Sequence, residues 1–211
     1  MTRGRFITLE GGEGAGKSTQ AARLVALLQG RGRRVVATRE PGGTPGAEEI
    51  RALLVTGEPG RWDAWSEALL VYAARRDHVA RVIEPALAQG DWVVCDRFLD
   101  STVAYQGHAR GLGAGAIEAL HGLVLGRLRP DLTLVFDLDP ATGLRRAAAR
   151  RGGEGRFEAQ DLAFHQRLRA GFQAIAKAEP ERCRVIDAGQ PLERVTQAVK
   201  QAVLERFGGA L

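Results

Sequence analysis

Apolar residues recur along this chain in two alternating rhythms. Phe6-Ile-Thr-Leu-Glu10 is a short, nearly continuous apolar run of the kind that forms a buried strand, and the apolar positions after it (Ala21, Leu24, Val25, Leu27, Leu28) fall at helical spacing. The alternation then repeats. Breakers at Gly30 to Gly32 precede a strand over Arg34 to Thr38, and a helix is expected over Glu48 to Val55. One long helix is expected over Ala64 to Gln89, carried by Ala68, Leu69, Val71, Tyr72, Val79, Val82 and Ile83. Trp92-Val-Val-Cys-Asp96 reads as a strand, Gly107 to Gly115 as a flexible glycine-rich link, and Ala116 to about Leu128 as a helix. A strand over Leu132 to Leu138 leads to a helix opened by Asp139-Pro140 and running through Leu144, Arg145, Arg146 and Ala149. A helix from Phe157 to about Lys177, a strand over Cys183 to Asp187 and a helix over Pro191 to Phe207 complete the series. Strands alternating with helices predict a three-layer α/β fold, a five-stranded parallel sheet with helices on both faces. At 211 residues, 45% of them hydrophobic, the chain is long enough for one domain over 1–211 with a substantial core.

Between the first strand and the first helix lies Gly11-Gly-Glu-Gly-Ala-Gly-Lys-Ser18, which fits G-x-x-x-x-G-K-[ST]. Such a loop can aim consecutive backbone N–H groups at phosphate oxygens beside a helix N-terminus. Lys17 is then placed to reach the β- and γ-phosphates and Ser18 to bind Mg²⁺. A short glycine-rich pattern also arises by chance, but here it has the strand before it and the helix after it that the motif requires. The fold expected is therefore that of the phosphate-loop NTPases. In such proteins a strand ending in Asp sets a carboxylate near the metal, which makes Asp96 the second metal candidate, or a cap for the next helix.

Three further stretches carry polar chemistry. Arg39-Glu-Pro-Gly-Gly-Thr44 is either a plain connector or, because it follows the second strand, part of a ligand site at the strand ends. Arg97 to Gln106 concentrates polar residues directly after the Asp96 strand. Arg150-Arg-Gly-Gly-Glu-Gly-Arg156, with Arg146 before it, reads as a solvated loop tip or as a cationic lid over about 146–157. Arg75, Arg76 and His78 have the ordinary reading of a charged helix surface.

Composition narrows the classes. A net charge of +5 suits an anionic partner, but the basic residues are scattered and not interleaved with aromatics, so a nucleic-acid-binding ATPase is the distant alternative. Asparagine is absent, which excludes the Asn-Lys-x-Asp guanine motif. Two cysteines far apart, Cys95 and Cys183, form neither a disulfide framework nor a metal spacing. No apolar run approaches a bilayer span, and the first strand begins too early to leave room for a signal peptide, so a soluble cytoplasmic protein is expected.

Taken together, Glu10 to Ser18, Thr38-Arg-Glu-Pro-Gly-Gly-Thr44, Tyr72-Ala-Ala-Arg75, Asp96-Arg-Phe98, Ser101-Thr-x-Ala-Tyr-Gln-Gly107 and Arg129-Pro-Asp-Leu-Thr133 resemble the bacterial thymidylate kinases in order and spacing. The resemblance implies phosphorylation of dTMP to dTDP by ATP with Mg²⁺, in dTTP synthesis, with another nucleotide or deoxynucleoside kinase of this fold as the alternative. It assigns ATP to Gly11, Gly12, Glu13, Gly14, Ala15, Gly16, Lys17, Ser18, Thr19 and Arg146, with Gly189 to Pro191 near the adenine. It assigns dTMP to Glu13, Pro41, Tyr72, Arg75, Arg97, Phe98, Ser101, Thr102, Tyr105 and Gln106, and Mg²⁺ to Ser18 and Asp96. Lys17, Arg97, Glu13 and the lid residues Arg151 and Arg156 take the catalytic roles, and a homodimer is implied. Two positions depart from the family pattern: Val71 stands where a Phe often stacks on thymine, so that stacking is either weaker or supplied by Tyr72, and Gly155-Arg-Phe-Glu158 replaces Asp-Arg-x-Glu.

Overall fold

The computed structural model describes residues 3–149 and 155–208. Its strands are β1 (Phe6–Gly11), β2 (Val35–Arg39), β3 (Trp92–Asp96), β4 (Leu132–Asp137) and β5 (Cys183–Asp187), and they form one parallel sheet in the order β2-β3-β1-β4-β5. β1 is central, and its residues face alternate helix layers: Phe6 packs with one core, Ile7 and Leu9 with the other. A strand buried on both sides is largely apolar, which is why the expected strands read as nearly continuous runs, and β1 departs from this only at the buried Thr8 and Glu10 and the closing Gly11.

The helices are α1 (Lys17–Gln29), α2 (Pro45–Val55), α3 (Ala64–His78), α4 (Glu84–Ala88), α5 (Leu99–Thr102), α6 (Ala114–Leu125), α7 (Pro140–Ala148), α8 (Leu162–Ala178) and α9 (Leu192–Phe207). α1 and α9 cover the face of Ile7 and Leu9, whereas α3, α5, α6 and α8 cover the face of Phe6. The chain leaves β1 with β3 on one side and β4 on the other, so a crevice opens where the crossover direction reverses.

Three expectations change. The single helix over 64–89 is interrupted by a π-helical segment, Val79–Ile83, in which the Glu84 N–H bonds back to the Val79 carbonyl. Pro85 follows at once, and having no N–H of its own it cannot continue the regular ladder. The stretch 97–115 is not a polar run followed by a flexible link: after α5 it forms a second π-helical segment, Val103–Ala109, buried from Val103 to Gly107. Gly107 sits inside it, and its carbonyl accepts the Gly113 N–H at 2.9 Å. Finally, 156–159 is a turn, and α8 starts at Leu162, where Asp161 caps it by accepting the Phe164 N–H at 2.6 Å.

Candidate active site

The loop after β1 turns into α1 through Gly16, held at φ 84°. Gly14 is required for space as well as for its positive φ, since a Cβ there would lie 2.0 Å from the Gly143 carbonyl oxygen of α7. With side chains excluded, Lys17 folds back over the loop and donates to the carbonyls of Gly11 (3.1 Å) and Gly12 (2.7 Å). Burial and the neighbouring Arg97 cation push its ammonium down to about 8, against the pull of Glu13, Asp96 and Glu10. The cationic form, the one suited to an anionic ligand, predominates below that value. The expected result is that kcat/KM for ATP, which reports the free enzyme, falls as pH rises through about 8. A pH–rate profile flat from about pH 7 to about pH 9, on either side of the Lys17 value, would contradict this.

At the end of β3, Asp96 meets the loop: the Ser18 hydroxyl donates to its Oδ2 at 2.6 Å. Two hard oxygen donors from different elements are thus already adjacent, a set that suits Mg²⁺, which takes one or two protein oxygens and completes its shell with water and phosphate. Among the described residues no cluster of three or more His, Cys, Asp or Glu offers a closed metal cage.

Arg97, the next residue, is the one non-glycine among the described residues with positive φ, at 73°. That left-handed backbone is costly for a side-chain-bearing residue and is sustained by its contacts. Its guanidinium donates to the Gly11 carbonyl (3.0 Å), the Ser101 hydroxyl (3.1 Å) and Glu13 Oε1 (3.1 Å), and lies 5.1 Å from the Tyr105 ring centre. Glu13 Oε1 also accepts the Tyr105 hydroxyl at 2.5 Å. Burial pushes the Glu13 carboxyl up, but Arg97, Lys17 and the Tyr105 hydroxyl outweigh it and hold the group at about 2, ionised throughout the neutral range. Beneath them Glu10 accepts the Phe98 N–H at 2.7 Å and the Ser101 hydroxyl at 2.5 Å, tying the start of α5 to β1. Burial, then the Asp100 carboxylate, pushes Glu10 up to about 8.

On the far side, Arg75 of α3 is buried, with Nε on Glu40 at 2.6 Å and Nη2 on the Thr102 hydroxyl at 2.9 Å. Glu40 also meets His78 at 3.0 Å, and His78 meets Thr38 at 2.7 Å. The Arg75, Arg76 and His78 cluster is thus divided: Arg76 is exposed, while the other two are internal.

Many of these residues line one cavity of about 420 Å³. The phosphate loop from Glu13 to Ser18 and Asp96 form one end, Arg75, Thr102 and Gln106 belong to its wall, and Arg97 and Tyr105 also line it. A single cleft therefore joins the glycine loop to a wall that carries Arg75 and Arg97. The thymidylate kinase family model matches residues 9–199. The chain belongs to the thymidylate kinase family. It is 57% identical to a thymidylate kinase of Caulobacter vibrioides over 99% of this chain and all of that protein. It is 52% identical to one of Magnetococcus marinus over 97% of this chain and 98% of that one. The crystal structure of a thymidylate kinase from Ehrlichia chaffeensis superposes with a TM-score of 0.75 at 37% identity, covering 94% of this chain and 98% of that one.

Of the residues expected at the site, Glu13, Gly14, Ala15, Gly16, Lys17, Ser18, Pro41, Arg75, Asp96, Arg97, Ser101, Thr102, Tyr105 and Gln106 line this cleft. Arg146 donates to the Ala188 carbonyl at 3.0 Å, which places it beside the Gly189–Pro191 turn. Arg146, Gly11, Gly12 and Thr19 are not among its lining residues, though the carbonyls of Gly11 and Gly12 hold Lys17, and three more expected residues lie elsewhere. Tyr72 is not among the residues lining the cleft: its ring is buried under the Arg75 guanidinium at 4.8 Å, and its hydroxyl donates to the Ile117 carbonyl. Phe98 is fully buried against Phe6, with ring centres 4.9 Å apart. Both rings are core residues on which Arg75 rests, because aromatic area is best placed under a cation and away from water. Arg156 does not line the cleft either. Its Nη2 donates to Glu67 at 2.6 Å and its Nη1 to the Leu54 carbonyl at 2.9 Å, both buried. Arg151, with the rest of 150–154, lies outside the described residues.

Sequence reasoning passed over Glu40, Glu67 and Arg51. Arg51 lines the cleft and donates to the Pro41 carbonyl at 2.8 Å. It stands alone on α2, with no motif around it. Glu40 lay within the recognised Arg39 to Thr44 turn, so its place beside a buried arginine could have been sought there.

Proposed function

We propose that this enzyme holds the ATP phosphates on the Gly11 to Ser18 loop and dTMP against Arg75, Thr102 and Gln106, with Arg97 between the two. The reaction is phosphorylation of dTMP by ATP to give dTDP and ADP. The observation that carries the placement is the single cleft in which Lys17 and Asp96 share walls with Arg97 and Arg75.

In the proposed mechanism a dTMP phosphate oxygen attacks the γ-phosphorus in line. The new P–O bond forms as the bond to the β–γ bridging oxygen breaks, and ADP leaves with that electron pair. A phosphate monoester has its second pKa near about 6, so the acceptor is already anionic and needs no general base. Catalysis is positioning and charge neutralisation. Lys17 leaves its loop carbonyls for the phosphates, and Arg97 brings the acceptor anion toward them. Ser18 and Asp96 would hold Mg²⁺, which when bound neutralises charge on the β- and γ-phosphates. Glu13, ionised and acceptor-only, keeps the Tyr105 hydroxyl in place, and that ring, packed at 5.4 Å from Phe157, closes the sugar end against a 2′-hydroxyl. Arg151, carried over from the resemblance, is the candidate for a cation that arrives with ATP.

A single domain, a cytoplasmic location and a homodimer complete the reading. Trp65 and Leu69, one turn apart on α3, are 46% and 53% exposed, and Leu123 on the adjoining α6 is 85% exposed, a surface suited to a second copy. No helix among the described residues is long and apolar enough to cross a membrane.

The test is a coupled assay with dTMP, dUMP, dCMP, UMP and thymidine, expected to give dTMP the highest kcat/KM. The same preparation is expected to sediment as a dimer. Preference for another monophosphate, or for thymidine, would replace the acceptor assignment.

A further inference from the structure

Glu67 is fully buried on α3, yet no feature of the known chemistry uses it. Its Oε1 accepts the Gln106 side-chain N–H at 2.7 Å, and its Oε2 accepts Arg156 at 2.6 Å and Arg110 at 3.2 Å. A carboxylate held by two guanidinium groups can only accept hydrogen bonds, so Gln106 must give it the NH₂ end of its carboxamide. The oxygen end of Gln106 has no hydrogen-bond partner among the described residues, and Gln106 lines the cleft. Arg75 lines the same cleft, and its Nη1 is a buried donor with no partner among the described residues. Thr102, one helical turn before Gln106, holds the other Arg75 nitrogen at 2.9 Å.

We propose that Glu67 is a positioning residue for base choice: by taking the amide N–H₂ of Gln106 it leaves the cleft with a carbonyl acceptor from Gln106 beside a guanidinium donor from Arg75. This rests on the reading of that wall as the dTMP site. A donor and an acceptor in that arrangement complement a pyrimidine carrying C4=O next to N3–H. Cytosine presents the reverse, an amino donor next to a bare N3, and leaves both protein groups unpaired. Arg156 and Arg110 serve the same end by keeping Glu67 an acceptor. The carboxamide is thus oriented by a group that never touches the base.

Glu67→Gln tests this, with dTMP and dCMP as paired substrates and kcat and KM measured separately. A glutamine whose oxygen stays on the arginines turns its NH₂ toward Gln106, which must then accept and swing its own NH₂ into the cleft. The expected result is a fall of roughly 10- to 100-fold in the dTMP-to-dCMP ratio of kcat/KM, through a raised KM for dTMP, with kcat at saturation changed much less. Glu67→Asp, still acceptor-only, is expected to keep the wild-type ratio even where both substrates bind more weakly. A purely structural Glu67 would lower both substrates together, and an unchanged ratio in folded Glu67→Gln overturns the proposal. Should that variant not fold, Gln106→Ala decides the matter: its ratio must fall similarly, and an unchanged ratio again overturns it. Wild-type protein inactive on dTMP would instead sink the kinase reading beneath, which is a different failure.

Discussion

Arg97→Ala is expected to lower kcat/KM for dTMP by about 10³, within the range by which single charge-stabilising donors and arginine fingers act in such sites. In the proposed site the guanidinium lies between the two phosphate positions, and its hold on Gly11, Ser101 and Glu13 orients it before any ligand arrives. Two losses combine. The acceptor anion loses a cation, and Glu13 loses its ion-pair partner at 3.1 Å, leaving a half-buried carboxylate with the Tyr105 hydroxyl and the more distant Lys17. Calorimetry and steady-state kinetics should therefore register weaker dTMP binding and slower turnover together. Lysine at 97 is expected to recover little, since one ammonium cannot reach Gly11, Ser101 and Glu13 from a single planar fork. Unchanged dTMP affinity in Arg97→Ala would remove its acceptor role.

Arg156→Ala is expected to act on stability more than on turnover. Removing one partner of a fully buried ion pair costs about 3–5 kcal/mol, and because Arg110 still faces Glu67 the lower end applies. For a chain of this length about 3 kcal/mol corresponds to a fall of roughly 6–12 °C in Tm. A resemblance-based reading makes Arg156 a lid finger and predicts a large loss of kcat with dTMP affinity little altered. Its burial predicts the reverse: lowered Tm, raised KM for dTMP through the Glu67 and Gln106 contact, and kcat at saturation within a few fold of wild type. Thermal melts with kinetics on the same sample separate the two, since a kcat loss near 10³ at unchanged Tm would restore the finger role.

Much of the site was readable because it is local. The strand, glycine loop and helix start are consecutive, so spacing alone placed Lys17 and Ser18, and the acid ending β3 fell beside them because parallel strands bring their carboxyl ends to one edge. Tyr72 was misplaced for a physical reason: at helical spacing a tyrosine next to Val71 can face either the cleft or the core, and its choice depends on the far wall. Val71 lines the cavity, while Tyr72 lies beneath Arg75.

The sequence by itself determined the order of strands and helices, the three layers and the phosphate loop. Apolar periodicity records which side of each segment leaves water, and a loop motif is a statement about neighbouring residues. Only the tertiary structure decided who pairs with whom among the charges. Arg156 meets Glu67 across 89 positions and Arg75 meets Glu40 across 35. A buried charge needs a partner, but one-dimensional spacing does not say which of the many carboxylates in the chain will be near once the sheet has closed.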